Sequence, residues 1–267
     1  MKKIFLLMVV PLVCMATLSA QISQKEADSI VQQRLESETK PYCVYAKEDV
    51  QTGFEMITST GESLELDYPA WVYYVSYAGE TVGKYLIVKE SSGNLLEMNT
   101  KNDVGPGDLT EWRFVLKNIL FEEYFISWSH SLSEFSCWKN LNHDWHDPGY
   151  VPTGKLSIVN STEELENYLI CTEDYPAIDF SKHTLLLASG CTGSGIYPKI
   201  SVNHLREFSL NEYLLDIEIL LGPASDIDYW AAVLIVEKMG KESVIDLKIC
   251  HIYEDYDEKY CKIIKMP

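Results

Sequence analysis

The sharpest cluster of chemistry-bearing side chains is a short run of histidines and aspartates near the middle of the chain. His143 and His146 stand three residues apart, and Asp144 and Asp147 follow them directly. Imidazole nitrogens and carboxylate oxygens are ligands that Zn²⁺ accepts, but a catalytic zinc site needs a third protein ligand and an open position for water. No spacing in the sequence points to that third ligand. The run therefore leaves three interpretations open, a polar connector, an adventitious metal-binding loop and a metal-dependent hydrolase centred on the two histidines.

A glycine-rich segment, Gly190 to Gly195, is the second place where chemistry could occur. Such a loop can hold a phosphate where it leads into a helix, but here it joins two predicted strands. We interpret it as a hairpin turn in which glycines adopt positive φ. Cys191 within it could be a thiol nucleophile with His183 or His204 as its base, although an exported protein more often places a cysteine in a disulfide or a core.

The first twenty residues have the composition of a secretory signal peptide. Lys2 and Lys3 precede an apolar run from residue 4 to 13, and small residues lead to an expected cleavage site after Ala20. The apolar run is about half as long as a membrane-spanning helix requires. We expect an exported protein of the periplasm, cell surface or extracellular space. Lipidation at Cys14 is the less favoured alternative, because Val13 is not the small residue that normally precedes a lipidated cysteine.

The charge of the chain restricts its partners. Forty acids stand against 22 lysines and arginines, which gives a net charge of −18. Such a chain repels phosphate backbones and anionic lipid surfaces, so we expect neither nucleic acid nor a membrane surface as a partner. No motif indicates a cofactor. The acidity is also what solubility alone would favour.

Six cysteines remain after the expected cleavage, and an even number in an exported protein permits up to three disulfides. Cys250 and Cys261 are close enough in sequence to bridge a terminal hairpin. Isolated buried thiols are the alternative. The six are Cys43, Cys137, Cys171, Cys191, Cys250 and Cys261.

A helix and then a run of strands follow the leader. Ser23 with Glu26 three residues later is a capping box, which predicts a helix from about Gln24 to Glu38. Alternating and aromatic runs then predict an antiparallel meander, which ends at the glycine and proline breaker around Pro106. We expect this N-terminal α+β module to cover residues 21–107.

That first module resembles a known family. Its opening helix Ile22–Ala27, its aromatic strand Trp71–Val75, and Leu86–Lys89 before Gly93 and Asn94 are similar to a PepSY-type module. The resemblance covers about residues 21–100. It implies a helix packed on an antiparallel hairpin sheet.

The remainder divides into a connector and a second module. Residues 108–153 contain Trp112, Trp128, Trp138 and Trp145 without a clean period, so we interpret them as an ordered aromatic connector. In residues 154–267, Ser161 or Thr162 caps a second helix, with Glu164 at capping-box spacing from Ser161, and a series of strands follows.

The second module also carries a resemblance. A capped S-x-E-E-L helix, an I-D-F-S-K entry to an apolar strand and a T-G-S-G turn resemble the C-terminal domain of PrcB-like protease-complex proteins, and the whole chain looks like two-module exported proteins of Gram-negative anaerobes. Ile196 stands where that domain commonly has an aromatic residue after the glycines. The resemblance implies a β-rich binding or accessory role and no catalytic residues.

We therefore predict an α+β protein of two modules, each one helix packed on an antiparallel sheet. The predicted function is a non-enzymatic binding or accessory protein of the cell envelope, with a protein or a glycan as partner. A protease-associated role follows from the resemblance alone. The metal-dependent hydrolase is the alternative. The side chains most able to anchor a partner are Tyr73, Tyr74, Trp112, Trp138 and Trp145.

Overall fold

The fold is dominated by β-strands. A computed structural model describes residues 21–100, 105–106, 109–129, 152–169, 178–193, 195–223, 227–253 and 258–266. Strands account for 58% of the structure and helices for 8%. The predicted fold class, two modules that each pack one helix on a sheet, was therefore wrong. The reason is that most of the strands join in large sheets, while the second helix is only one turn long.

Within the described part of the chain there are two helices and fifteen strands. The helices are α1 (Gln24–Arg34) and α2 (Thr162–Leu165). The strands before the second helix are β1 (Tyr42–Ala46), β2 (Glu55–Ile57), β3 (Ser63–Glu65), β4 (Ala70–Tyr77), β5 (Lys84–Lys89), β6 (Leu95–Asn99), β7 (Arg113–Ile119), β8 (Phe121–Ser129) and β9 (Thr153–Val159). Those after it are β10 (His183–Thr192), β11 (Ile196–Ser209), β12 (Glu212–Leu221), β13 (Asp228–Glu237), β14 (Val244–Tyr253) and β15 (Glu258–Ile264).

One sheet runs through both predicted halves. Nine strands lie in the order β15-β14-β12-β11-β7-β1-β4-β5-β6, and every neighbouring pair is antiparallel except β12 with β14. The strand β7 joins the halves, because it pairs with β1 on one side and with β11 on the other. A second sheet has the order β8-β13-β10-β9, and β2 with β3 forms a separate hairpin.

The predicted aromatic connector contains two regular strands, β7 and β8. The chain turns at Leu120, leaves the large sheet at the end of β7 and enters the four-stranded sheet as β8, which pairs with β13. Trp128 of β8 packs against the core between the two sheets. Trp138 and Trp145, which also belong to the predicted connector, lie outside the described residues.

The first helix confirms the predicted capping box. The Ser23 hydroxyl accepts a hydrogen bond from the Glu26 amide, and the Glu26 carboxylate accepts one from the Ser23 amide at 2.7 Å. Hydrogen bonds from the Ser23 amide and from the Ser23 hydroxyl to this carboxylate lower the pKa of Glu26. The helix packs on the large sheet, and Asp28 ties it there by accepting hydrogen bonds from Tyr73 and Arg113, both at 2.8 Å. The helix ends at Arg34, earlier than the predicted Glu38.

The space between the two sheets is an apolar core that centres on Trp230. The indole is 1% exposed and lies over the backbone of β9 and β10, where Gly154 and Gly190 face each other. A Cβ at Gly190 would lie 2.7 Å from this ring and 2.3 Å from the backbone oxygen of Thr153. Gly190 therefore belongs to a strand, and the prediction that it forms a positive-φ hairpin turn was wrong. The short turn after Thr192 connects the two sheets.

Cys250 and Cys261 form a disulfide, which is one of the two alternatives that the sequence left open for them. The two residues are direct partners in the β14–β15 pair, with their Cα atoms 4.1 Å apart. Cys43 is half-buried and Cys191 is buried. Cys137 and Cys171 lie outside the described residues. The disulfide fastens β15, which is the edge strand of the large sheet, to its neighbour.

A buried histidine makes the stability of the sandwich depend on pH. His251 of β14 is 1% exposed, neither ring nitrogen has a hydrogen-bond partner, and burial lowers its pKa to about 4. The unfolded chain binds this proton below about pH 6.5, whereas the folded chain resists it. The stabilisation from His251 is therefore present above about pH 6.5 and is lost as the pH falls towards 4.

We expect the wild-type protein to lose about 2–3 kcal/mol more unfolding free energy than a His251→Phe variant when the pH falls from 7 to 4.5. Phenylalanine is of similar size and does not titrate, so the difference isolates the imidazole from the carboxylates. Urea unfolding at the two pH values measures it. Equal losses in the two proteins would show that His251 is not held in its neutral form by the core.

Candidate binding site

The aromatic anchors predicted from the sequence are buried where they are described. Tyr73 is fully buried beneath α1, and Tyr74 and Trp112 are each 8% exposed. Burial raises the pKa of both tyrosines, so each keeps its hydroxyl proton at neutral pH. Tyr73 and Tyr74 point to opposite faces of β4, because side chains alternate along a strand. Both faces of β4 are covered, so neither tyrosine is a surface anchor.

The predicted metal ligands His143, Asp144, His146 and Asp147 lie outside the described residues. In the ranges that the structure does describe, no three His, Cys, Asp or Glu side chains are grouped so that they could hold a metal ion.

Neither His183 nor His204, the two histidines suggested as a base, lies beside the Cys191 thiol. His183 and Cys191 lie at opposite ends of β10, about 26 Å apart at the rise of an antiparallel strand. His204 lies on the other sheet, where its Nε2 is 2.8 Å from the Glu36 carbonyl oxygen. Cys191 is fully buried, and its sulfur is 3.6 Å from the Thr153 hydroxyl. These contacts indicate a structural cysteine.

A polar cluster lies where the end of α1 meets the large sheet. Burial, and then the neighbouring Arg206 charge, lower the pKa of His204, and Asp216 binds Lys248 at 2.6 Å. Two guanidinium nitrogens of Arg206 have no hydrogen-bond partner. The direct hydrogen bond between His204 and the Glu36 carbonyl ties β11 to the segment that follows α1. We interpret the cluster as a structural contact between this segment and the large sheet.

A depression lies on the opposite face of the large sheet from α1. Four rings pack there at centroid distances between 5.3 and 6.4 Å, most of them edge to face. They belong to Phe54, Tyr74, Tyr85 and Trp112. The hairpin β2–β3 crosses this face and buries Met56 against the rings. The rings pack in this way because β4 and β5 direct alternate side chains to this face.

Next to these rings is a cavity of about 280 Å³. Its buried lining is apolar and aromatic, from Met56, Tyr85 and Trp112, while Ile57 at its border is 41% exposed. Burial raises the pKa of Tyr85 to about 12, so its ring is neutral at physiological pH. The depression has a mixed lining, because Lys47 and Glu55 join the aromatic and aliphatic side chains. Its aromatic floor and the exposed Ile57 at its border could receive an apolar side chain.

Two charged side chains, Lys47 and Glu55, also line this depression. The Lys47 ammonium is 4.8 Å from the centre of the Trp112 ring and 3.7 Å from the Glu111 carboxylate. Glu55, which is exposed, also lines the depression. Pro106 and Gly105 close one side, and a Cβ at Gly105 would meet the Tyr74 hydroxyl at 2.5 Å. The glycine therefore lets this segment lie directly on the aromatic cluster.

No family model matches the chain, and neither a curated protein nor a solved structure is similar to it. The PepSY-type and PrcB-like resemblances therefore stay predictions from short motifs. Neither helix in the described ranges has the length and apolar composition needed to cross a bilayer.

Proposed function

We propose that the protein is a non-enzymatic binding or accessory protein of the cell envelope, and that the depression receives an apolar side chain of a protein partner. The observation that carries the proposal is the concavity itself, with Met56, Tyr85 and Trp112 inside it and Ile57 exposed at its border. Apolar concavities with a few polar groups at the edge are the usual form of binding sites.

A protein partner fits this surface better than a glycan does. Sugars stack on the open face of an aromatic ring and need several hydrogen-bonding groups around it. Trp112 is 8% exposed and carries Lys47 over its ring, so no indole face is open. An aliphatic or aromatic side chain needs only the volume and the apolar lining that the depression offers.

The envelope location rests on two features. The leader has the composition of a signal peptide, and a disulfide joins Cys250 to Cys261. Disulfides persist in oxidising compartments such as the periplasm and the cell surface. Both features support export, which cell fractionation of the natural host would test.

The binding proposal is tested by site-specific photo-crosslinking in the cell that makes the protein. A photoreactive amino acid at Ile57 is expected to give discrete adducts, because an occupied depression brings a partner within its reach. The control is the same amino acid at Leu210, an 84% exposed position in the turn after β11. Both sites are exposed, so both variants should fold like the wild type. Identical adduct patterns, or no adduct from either position, would contradict the proposal.

A further inference from the structure

Two glutamates face each other across the hairpin that borders the depression. Glu55 of β2 and Glu65 of β3 are direct register partners, and both are exposed. Side chains that are directly opposite in an antiparallel pair have Cβ atoms roughly 4.5–5.5 Å apart, and like charges at this distance are destabilising. A neutral residue at either position would remove the repulsion, so the hairpin carries a charge pair that its own folding does not need.

The surrounding sequence leaves these charges uncompensated. Residues 48–83 contain seven acids and no lysine or arginine. Neither Glu55 nor Glu65 takes part in an ion pair with any residue in the described ranges. The cations on this side of the sheet are already engaged, since Lys47 contacts Glu111 and Trp112, and Lys89 lies 5.0 Å from the Tyr68 ring centre.

We propose that the partner segment is cationic, with a large apolar side chain in the depression and a lysine or arginine beside it placed between Glu55 and Glu65. This rests on the proposed function for the same site. In an extended segment, residues two positions apart lie about 7 Å apart on the same side. An apolar residue with a basic residue two positions away can therefore reach the depression and the glutamate pair together. The net charge of −18 also favours encounter with a cationic partner.

A cationic side chain fits the pair better than a metal ion does. Calcium takes six to eight oxygen ligands, and the described residues around the hairpin supply no third carboxylate, cysteine or histidine to the group. An ammonium or guanidinium group needs only the two carboxylates, and it brings the adjoining apolar residue with it.

The test uses a short labelled peptide in which one phenylalanine has a lysine two positions away on each side. Binding to the purified protein is followed by fluorescence anisotropy at low ionic strength. We expect a peptide with glutamate in place of lysine to bind at least about tenfold more weakly, because it meets Glu55 and Glu65 with like charge. Equal binding of the lysine and glutamate peptides would overturn the inference.

Charge-neutral variants separate binding from folding. Glu55→Gln and Glu65→Gln are each expected to weaken binding of the lysine peptide about tenfold. The midpoint of thermal unfolding should stay the same or rise in both variants, because the repulsion within the hairpin is relieved. Glu122→Gln, an exposed glutamate on β8, makes the same change in net charge and is expected to bind normally. A lower midpoint in the hairpin variants, or an equal loss of binding in Glu122→Gln, would contradict the assignment.

Two further arms keep the inference distinct from the proposed function. A peptide with serine in place of phenylalanine, and an Ile57→Ser variant, test the apolar contact alone. Unchanged affinity in both experiments would reject the depression as the binding site. If the affinity fell in both, but lysine and glutamate peptides bound equally, only the cationic character of the partner would be rejected.

The last experiment adds calcium without peptide. A calcium-induced rise in the midpoint that Glu55→Gln abolishes would identify a metal ion as the occupant and overturn the inference.

Discussion

The free energy of unfolding of a Gly190→Ala variant is expected to be about 3 kcal/mol lower than that of the wild type, or the variant will fail to fold. The new methyl group would lie 2.3 Å from the Thr153 backbone oxygen and 2.7 Å from the Trp230 ring. The oxygen belongs to the neighbouring strand β9, so it can retreat only if the β9–β10 pairing opens. The ring is 1% exposed and fills the core, so it can retreat only by displacing its neighbours.

The matched control is Gly240→Ala. A Cβ there would meet its nearest atom, the Asn211 side-chain oxygen, at 3.5 Å, which is ordinary contact, and its φ is not positive. We expect a change within about 0.5 kcal/mol, or a small gain because alanine restricts the unfolded chain. Urea unfolding of both variants measures the contrast. If Gly190→Ala were as stable as Gly240→Ala, the close approach of Trp230 to this backbone would be disproved.

Loss of the Cys250–Cys261 disulfide is expected to cost about 2–3 kcal/mol of unfolding free energy. The bridge closes a loop with a sequence separation of 11, and the entropy that it removes from the unfolded chain has this size. β15 is also held by its antiparallel pairing with β14 and by Ile264, which packs against the core. The ion pair Lys259–Glu218, whose lysine is about half exposed, contributes little. The disulfide adds a covalent tie to this non-covalent pairing.

The measurement compares the wild type and Cys261→Ser, each with and without a reducing agent. Reduction is expected to destabilise the wild type to the level of the variant, and to leave the variant unchanged. Cys261 is exposed, so the serine should not disturb the core. Equal stability of the oxidised and reduced wild type would mean that the bridge adds nothing beyond the strand pairing. Destabilisation of the variant by the reductant would point to another cysteine.

Local signals in the sequence predicted local structure well. Ser23 with Glu26 forms the predicted capping box on α1, and Ser161 caps α2 by accepting from the Glu164 amide, because such caps depend only on residues three positions apart. Most strands are also found where alternation or apolar runs predict them. The Cys250–Cys261 bridge follows from nearness along the chain, which the hairpin preserves.

The arrangement of the strands was not predictable in the same way. β7 lies between β1 and β11 because of pairings with strands that are distant along the chain. β8 was missed because its sequence has little alternation and its partner β13 follows it by about a hundred residues. From the sequence alone Gly190 looks like a turn residue, and only the packing of Trp230 shows why a strand needs a glycine there.

The candidate site was likewise predictable only in part. Tyr74 and Trp112 were recognised as aromatic residues of interest, but the sequence does not reveal that both faces of β4 are covered. Phe54 and Ile57 were overlooked, since the segment around them has no strong period. A usable signal did exist, because a hairpin centred on the turn at Gly61 places Glu55 opposite Glu65, and such a like-charge pair is unusual.

The central position of β7 has a consequence for anyone who dissects the protein. A fragment that stops at residue 107 would keep β1 but lose the strand that covers one of its edges. The backbone amides and carbonyls along that edge would have no hydrogen-bond partners, and such an exposed strand edge can pair with strands of other chains. Expression of such a fragment would therefore favour aggregation, and shorter versions of this protein should retain β7 and the β11 strand that closes its other side.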